Sequence, residues 1–184
     1  MYLYNSMENL IINSQYHFAP PNENDIPFYV QHFRDKEIYD NTLMIPFPYS
    51  ESDALWFLDY CAKQKLKFGH DLNFSIRNKY NELIGGVGFH GKNLHPPIAH
   101  RDEIGYWIAK PFWNQGILSM ALPVLIQYGM DVRGIKRFEA PVFAFNLASQ
   151  KVLLKNGFVE EGLMKSAFVK DGNYFDGKMF ALVK

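Results

Sequence analysis

An excess of either charge is missing from this chain. Lysine plus arginine number 19 and aspartate plus glutamate number 19 among 184 residues, so the formal net charge is zero. Proteins held to nucleic acid or to an anionic membrane by bulk electrostatics carry a basic surplus, and neither partner is expected here. Cysteine is almost absent. Cys61 alone cannot close an internal disulfide and has no second cysteine at zinc-ligand spacing, which points to a reducing compartment and a core-packing role. Long apolar runs are lacking too: no stretch approaches the ~20 residues of a membrane span, and no basic segment leads into an apolar one near the start. A soluble, cytoplasmic protein is the expectation.

What the chain does have is apolar and aromatic residues, 48% and 16% of the total, enough for a packed core. No repeat, low-complexity tract or linker divides it, so residues 1–184 read as one domain. The pattern predicts a short strand over residues 9–14, then a turn-rich break and a short helix over 25–35. A second helix is expected over 50–64, capped by Ser50 or Ser52. Residues 72–78 and 82–90 read as a hairpin, and 103–110 as a further strand. A long helix follows from Gly116 to Gly134, then a strand over 137–144, a helix over 146–157 and a last hairpin turning at Asp171–Gly172. The expected fold is a mixed α/β (α+β) layer with six to seven strands and four helices.

The stretch EIGYWIAKPFWNQGILSMAL, residues 103–122, passes from a strand through a proline and glycine turn straight into the long helix. The first turn of a helix leaves about four N–H groups without intrahelical acceptors, and the helix dipole attracts anions to them. A phosphate fits there, with Gly116 allowing close approach and Asn114 and Gln115 at the rim. Neither a Walker A lysine nor a G-x-G-x-x-G run is present, which removes the main supports for nucleotide hydrolysis and dinucleotide binding. Pro123 lies inside the helix and predicts a kink over Ser119 to Pro123.

Together, DEIGYWIAKPFWNQGILSMAL (102–122) and RFEAPVFAFNLASQKVLLKNGFVEEG (137–162) resemble the GNAT superfamily, in its RimJ/RimL-like ribosomal-protein N-terminal acetyltransferase branch. The likeness extends back through IPFPYSESDALWFL and IGGVGFHG and forward through FVKDGNYFDGKMFAL. It implies a GNAT fold with splayed middle strands and acetyl-CoA as co-substrate, with no metal. It also implies that Asn114, Gln115, Gly116, Ile117, Leu118 and Ser119 form the pyrophosphate turn. Trp113 and Leu118 depart from the superfamily pattern Q/R-x-x-G-x-G/A, although backbone amides do not depend on side-chain identity. Pantetheine would pair with the strand at Trp107, Ile108 and Ala109, where it parts from residues 137–144. Pro141, which has no N–H, suits either such a parting or an edge or bulge. Asn146 would contact the pantetheine arm and Ser149 would lie near the sulfur; equally, Asn146 is an ordinary N-cap and Ser149 a surface residue.

An amine attacks a thioester only when neutral, whereas an alkyl ammonium titrates near ~10.4 and an α-amino group near ~8. Glu103 is the first candidate for the base, acting directly or through water, and Glu139 the second. Each also has a plain alternative, an ion pair with Arg101 and with Arg137 respectively. Strand alternation places Glu103, Gly105, Trp107 and Ala109 on one face and Ile104, Tyr106 and Ile108 on the other. The oxyanion would be held by an N–H near Trp107 or Ile108 and the thiolate protonated by Ser149 or water. His90, His95 and His100 lack metal-ligand spacing, so no metal site is expected; one of them could contact the acceptor. The expected activity is acetyl transfer to a primary amine, a protein N-terminal α-amine or a small molecule, by a monomer or homodimer. The alternatives are a catalytically weak acyl-CoA-binding module and an interaction domain without a co-substrate.

Overall fold

A computed structural model describes residues 10–91 and 96–184. Eight strands form one sheet in the order β1-β2-β3-β4-β5-β6-β8-β7. Strands β1 (Leu10–Ile11), β2 (Tyr16–Ala19), β3 (Asn73–Asn78), β4 (Leu83–Phe89) and β5 (Arg101–Ile108) pair antiparallel in sequence order. On the other side, β6 (Arg137–Phe143) pairs antiparallel with β8 (Asn173–Val183), which pairs with β7 (Val159–Lys170). The two halves meet only between β5 and β6, which are parallel.

Five helices surround the sheet: α1 (Ile26–His32), α2 (Lys36–Asn41), α3 (Glu51–Phe68), α4 (Ile117–Arg133) and α5 (Leu147–Lys155). α4 is buried along Ile117, Ala121, Leu122, Leu125, Ile126 and Tyr128, a stripe at helical spacing set against Phe74, Val87, Phe89, Ile104 and Phe138 of the sheet. A smaller core of Tyr29, Phe33, Ile38, Ala54 and Leu83 sits under α1 to α3, and Trp107 packs against it. Because β-strand side chains alternate, β5 serves both cores. Ile104, Tyr106 and Ile108 meet the α4 side, and Trp107 meets Phe33, 4.4 Å between ring centroids.

Several expectations needed revision. Among the described residues the strand count is eight and the helix count five, above the six to seven and four expected. The first strand is two residues long, and Tyr16–Ala19, assigned to no strand in the sequence, pairs with β3 over four positions. Asn13 makes that hairpin, its side-chain oxygen accepting the N–H groups of Gln15 and Tyr16. Helix α2 was not anticipated; six residues carry too little periodicity to announce themselves, and Asp35 caps it through the Glu37 N–H. Ser50, not Ser52, caps α3, in a capping box with Asp53. Pro123 is accommodated inside α4, which continues from Ile117 to Arg133. It lies on the exposed face, where water can reach the Ser119 carbonyl that the missing N–H leaves without its helical donor. Cys61 is half-buried in α3, and burial pushes its thiol up to about 12, so it stays protonated and unreactive.

Two half-buried histidines make stability depend on pH. Burial holds His32, whose ring meets the Leu83 carbonyl at 3.0 Å, below its ordinary value of 6.5; burial and then Arg133 do the same for His70. A base with a depressed folded-state pKa takes up protons more readily when unfolded. Its stabilising contribution is therefore complete above 6.5 and is lost as pH falls through that value towards the folded pKa. Thermal melts between pH 7.5 and 5 should show a falling melting temperature, and a His32→Asn/His70→Asn double variant should show a flatter profile.

Candidate functional site

The parallel pairing of β5 and β6 covers three positions: Arg101 with Arg137, Asp102 with Phe138 and Glu103 with Glu139. Beyond Glu103 and Glu139 both strands continue without each other, β5 to Ile108 and β6 to Phe143. The gap is thus a property of the ladder, and its edges can be assigned. His90 N–H donates to Glu103 O and Ala109 N–H to Ile84 O, so Glu103, Gly105, Trp107 and Ala109 direct their main-chain groups towards β4. Ile104, Tyr106 and Ile108 direct theirs the other way: the Glu103–Glu139 pairing takes the Ile104 N–H to the Glu139 carbonyl, and the Ile104 carbonyl, Tyr106 and Ile108 face the gap.

The same reasoning on β6 starts from Ala144 N–H donating to Asp176 O and Lys184 N–H donating to Lys136 O. Even-numbered residues face β8, so Pro141 faces the gap. A residue without an N–H therefore stands where β6 has no partner, and no β6 donor is left unsatisfied there.

At the far end of β5 the chain makes a short 3-10 turn, Lys110–Phe112, and enters α4 through Asn114 and Gly116, both left-handed with φ of 59° and 73°. Asn114, Gln115 and Gly116 are exposed. Among the described residues, none of the amides from Asn114 to Ser119 donates to a protein acceptor, the first helical bond being Met120 N–H to Gly116 O. Six amides without protein acceptors therefore stand at the positive end of a 17-residue helix, the arrangement that suits an anion. Gln115 does not present its side chain; it folds back, its Nε2 donating to the Pro111 carbonyl at 3.0 Å.

The two departures from the superfamily pattern have visible roles. Trp113 donates its indole N–H to the Ile108 carbonyl at 2.7 Å, pinning the turn to the end of β5 and taking that carbonyl out of the gap. Leu118 packs against the main core and leaves its amide outward. Neither closes the turn.

Two hydroxyls meet beside the gap: Tyr106 OH and Ser149 Oγ are 2.7 Å apart. Desolvation raises the Tyr106 phenol above its ordinary 10 and outweighs the hydrogen bond from Ser149 that lowers it, so it is a proton donor near neutral pH. Tyr106 was not singled out in the sequence; only the register of β5 and the first turn of α5 bring it to Ser149. Asn146 acts as the N-cap of α5, its Oδ1 accepting the Ser149 N–H at 3.0 Å, while its Nδ2 lies 3.5 Å from the Asn41 carbonyl.

The two candidate bases differ in setting. Glu139 lies between Arg101 Nη1 at 3.1 Å and Arg137 Nε at 2.7 Å. Glu103 lies 2.8 Å from His90 Nδ1 on the Trp107 face of the sheet, and His90 follows β4 directly. His95 lies outside the described residues. Among the described residues no group of three His, Cys, Asp or Glu side chains could hold a metal ion, and no helix is long and apolar enough to cross a membrane.

Helix α2 links both banks of the gap. Glu37 and Asp35 pair with Lys110 beside the turn, and the Asn41 carbonyl meets Asn146. Lys170 donates to the carbonyls of Tyr39 and Thr42, and Tyr39 OH donates to Asp171 at 2.6 Å.

Comparison with known proteins agrees with this geometry. An N-acetyltransferase of Bacillus subtilis (strain 168), YoaA, uncharacterised, is 33% identical over 126 residues, 68% of this chain and 66% of its own length. The ribosomal-protein-serine acetyltransferase of Escherichia coli (strain K12) is 35% identical over 105 residues, 57% of each protein. The chain thus spans less than two thirds of the length of these curated relatives. A solved ribosomal L7/L12 α-N-protein acetyltransferase, RimL, in complex with coenzyme A, shares the fold with a TM-score of 0.82 at 26% identity, covering 96% of this chain and 98% of that one. The Acetyltransferase (GNAT) domain profile matches residues 16–159. With strands parting beside an open-amide turn and that match over most of its length, the chain belongs to the GNAT acetyltransferase family.

Proposed function

We propose that this chain transfers the acetyl group of acetyl-CoA to a primary amine, a protein N-terminal α-amine or a small molecule, by direct attack with both substrates bound. The observation that carries this reading is the gap between β5 and β6 leading to the unpaired amides of Asn114 to Ser119. The diphosphate is assigned to those amides, with the Asn114 side chain at the rim. The pantetheine arm is assigned to the Ile104 carbonyl, the main-chain groups of Tyr106 and the Ile108 N–H, with Asn146 on the opposite bank. Trp107 and Ala109, whose main-chain groups face β4, contribute by shaping the strand, not by bonding the arm.

The Ile108 or Tyr106 N–H is then the donor for charge developing on the carbonyl oxygen. Ser149 and Tyr106, hydrogen-bonded to each other, supply the proton for the departing sulfur. The base belongs to the Glu103 end of the site; Glu139 is assigned to the ion pairs with Arg101 and Arg137 that fasten the start of β6. The relatives named for ribosomal-protein acetylation support a protein N-terminus as acceptor. Helix α2, bonded to both banks, is placed to shape the acceptor's path.

The test is release of free CoA from acetyl-CoA against a panel of N-terminal peptides and small amines. Acceptor-dependent release is expected. Tight acetyl-CoA binding with no acceptor-dependent release would favour the weak-module alternative. A Tyr106→Phe/Ser149→Ala variant should lower kcat about tenfold with acetyl-CoA affinity unchanged, because a thiol near ~8.5 needs only modest help to leave.

A further inference from the structure

Resting on that acetyl-transfer reading, we infer that Nε2 of His90 takes the proton from the incoming amine and that Glu103 holds the imidazole for the task. The carrying observation is a juxtaposition. His90 Nδ1 lies 2.8 Å from Glu103 Oε1. At the other end of the ring, Nε2 lies 3.1 Å from the point where a Cβ at residue 105 would stand, and residue 105 is glycine. The imidazole therefore lies down over β5 in space that any other residue would occupy.

Its place along the strand matters. Glu103 is the last residue of β5 paired with β6, so Gly105 lies two residues into the gap, between the Ile104 and Tyr106 main-chain groups that line it. On the Tyr106 side of the sheet, α4 and the main core fill the space. On the other side the facing positions Gly86, Gly88 and Gly105 carry no side chains, and a Cβ on Gly86 would strike the Trp107 ring at 2.6 Å. An amine reaching a carbonyl held against β5 from that side passes over Gly105 and meets His90.

The carboxylate sets the tautomer. With Glu103 Oε1 2.8 Å from Nδ1, the carboxylate favours the tautomer that carries its proton on Nδ1 and leaves the Nε2 lone pair as the acceptor. No protein hydrogen bond to Nε2 occurs among the described residues. The His90 and Glu103 side chains are 35% and 20% exposed, so a proton gained at Nε2 has a route to solvent.

In the step itself, Nε2 accepts one proton from the ammonium, and the nitrogen lone pair forms the C–N bond as the carbonyl π pair moves onto oxygen. That pair then re-forms the carbonyl as the C–S bond breaks, its electrons leaving on sulfur. A second proton from nitrogen neutralises the sulfur, by way of the Tyr106 and Ser149 hydroxyls, and the imidazolium returns its proton to water. His90 is thus a catalytic residue and Glu103 a positioning one.

The experiment compares the full chain with His90→Ala, His90→Gln, Glu103→Gln and Gly105→Ala at saturating acetyl-CoA, following CoA release with the best amine of the panel. His90→Ala should lose about 100-fold in kcat, within the range for removal of a general base, with acetyl-CoA affinity unchanged within about twofold. Imidazole added to the buffer should restore its turnover in proportion to concentration, which a purely structural defect would not show. His90→Gln keeps a side chain of similar size without a basic atom and should lose as much, which covers the case where the alanine variant fails to fold. Glu103→Gln and Gly105→Ala should each lose about tenfold, the first by freeing the ring and the second by lifting it. A His90→Ala kcat within threefold of wild type would overturn the inference. So would a loss that imidazole does not rescue beside a 100-fold loss in Glu103→Gln, which would make Glu103 the direct base. A wild-type chain that releases no CoA with any amine would overturn the acetyl-transfer reading itself, and the role of His90 with it.

Discussion

Gly116→Val should weaken acetyl-CoA binding about 100-fold while the protein stays folded. Gly116 has φ of 73° at the entry to α4, and no atom lies within 4 Å of where its Cβ would stand, so the obstacle is backbone strain and not collision. A β-branched residue held left-handed costs roughly 1–2 kcal/mol, and the turn relieves that strain by rotating the peptide units on either side. Rotation turns amides of the Gln115–Ile117 stretch away from a common focus. One to two charge-assisted hydrogen bonds at about 1.5–3 kcal/mol each are then lost, and every 1.4 kcal/mol is tenfold in Kd. Because residues 114 to 116 are exposed, the melting temperature should fall by only a few degrees. Isothermal titration with acetyl-CoA measures the first quantity and a thermal melt the second. Unaltered affinity in the valine variant would remove the turn from the binding site.

Asp25→Ala tests the scaffold under α1 with the largest expected loss of stability. The Asp25 and Arg77 side chains are 2% and 4% exposed and 3.0 Å apart. Ser75 Oγ donates to Asp25 at 2.8 Å, the Asn22 N–H donates to it at 3.1 Å, and Tyr29 OH lies 3.4 Å from Ser75 Oγ. Removing the carboxylate leaves a buried guanidinium without its counter-charge, which costs about 3–5 kcal/mol, more than the pair itself adds. For a chain of this length that corresponds to a fall of about 10 °C in melting temperature. Arg77→Met together with Asp25→Leu removes both charges and should recover most of the loss. A single variant melting within 2 °C of wild type would mean that water reaches the pair.

Much of this architecture was legible in the sequence where the pattern was long. The 17-residue stripe of α4, the left-handed glycines at 116 and 134, and the Asp171–Gly172 turn each impose their element locally. Pro141 marked the parting of strands for a simple reason: it lacks the group a paired strand needs. What stayed hidden depends on pairing and on distance along the chain. Alternation divided β5 into two faces correctly, but which residues bond β4 and which face the gap follows from register: Trp107 and Ala109 face β4, whereas the Ile104 carbonyl, Tyr106 and Ile108 face the gap.

Contacts across many residues were equally invisible. Tyr106 meets Ser149 across 43 positions, and Lys170 meets Thr42 across 128. His90, read as one of three loop histidines, gains its meaning only because β4 and β5 pair residue 90 with Glu103. The alternatives for Glu139 and Asn146, an arginine ion pair and an N-cap, are both arrangements that the structure contains. Leu118 illustrates the reverse case: an unusual side chain in a motif matters little where the motif works through its amides.

The account stands on main-chain amides holding the co-substrate, and amide resonances report on them individually. In an ¹⁵N-labelled sample titrated with CoA, the amides of Asn114 to Ser119, together with those of Tyr106 and Ile108, should shift strongly and become protected from solvent exchange. Saturable CoA binding that leaves these eight resonances in place, while others move, would contradict it.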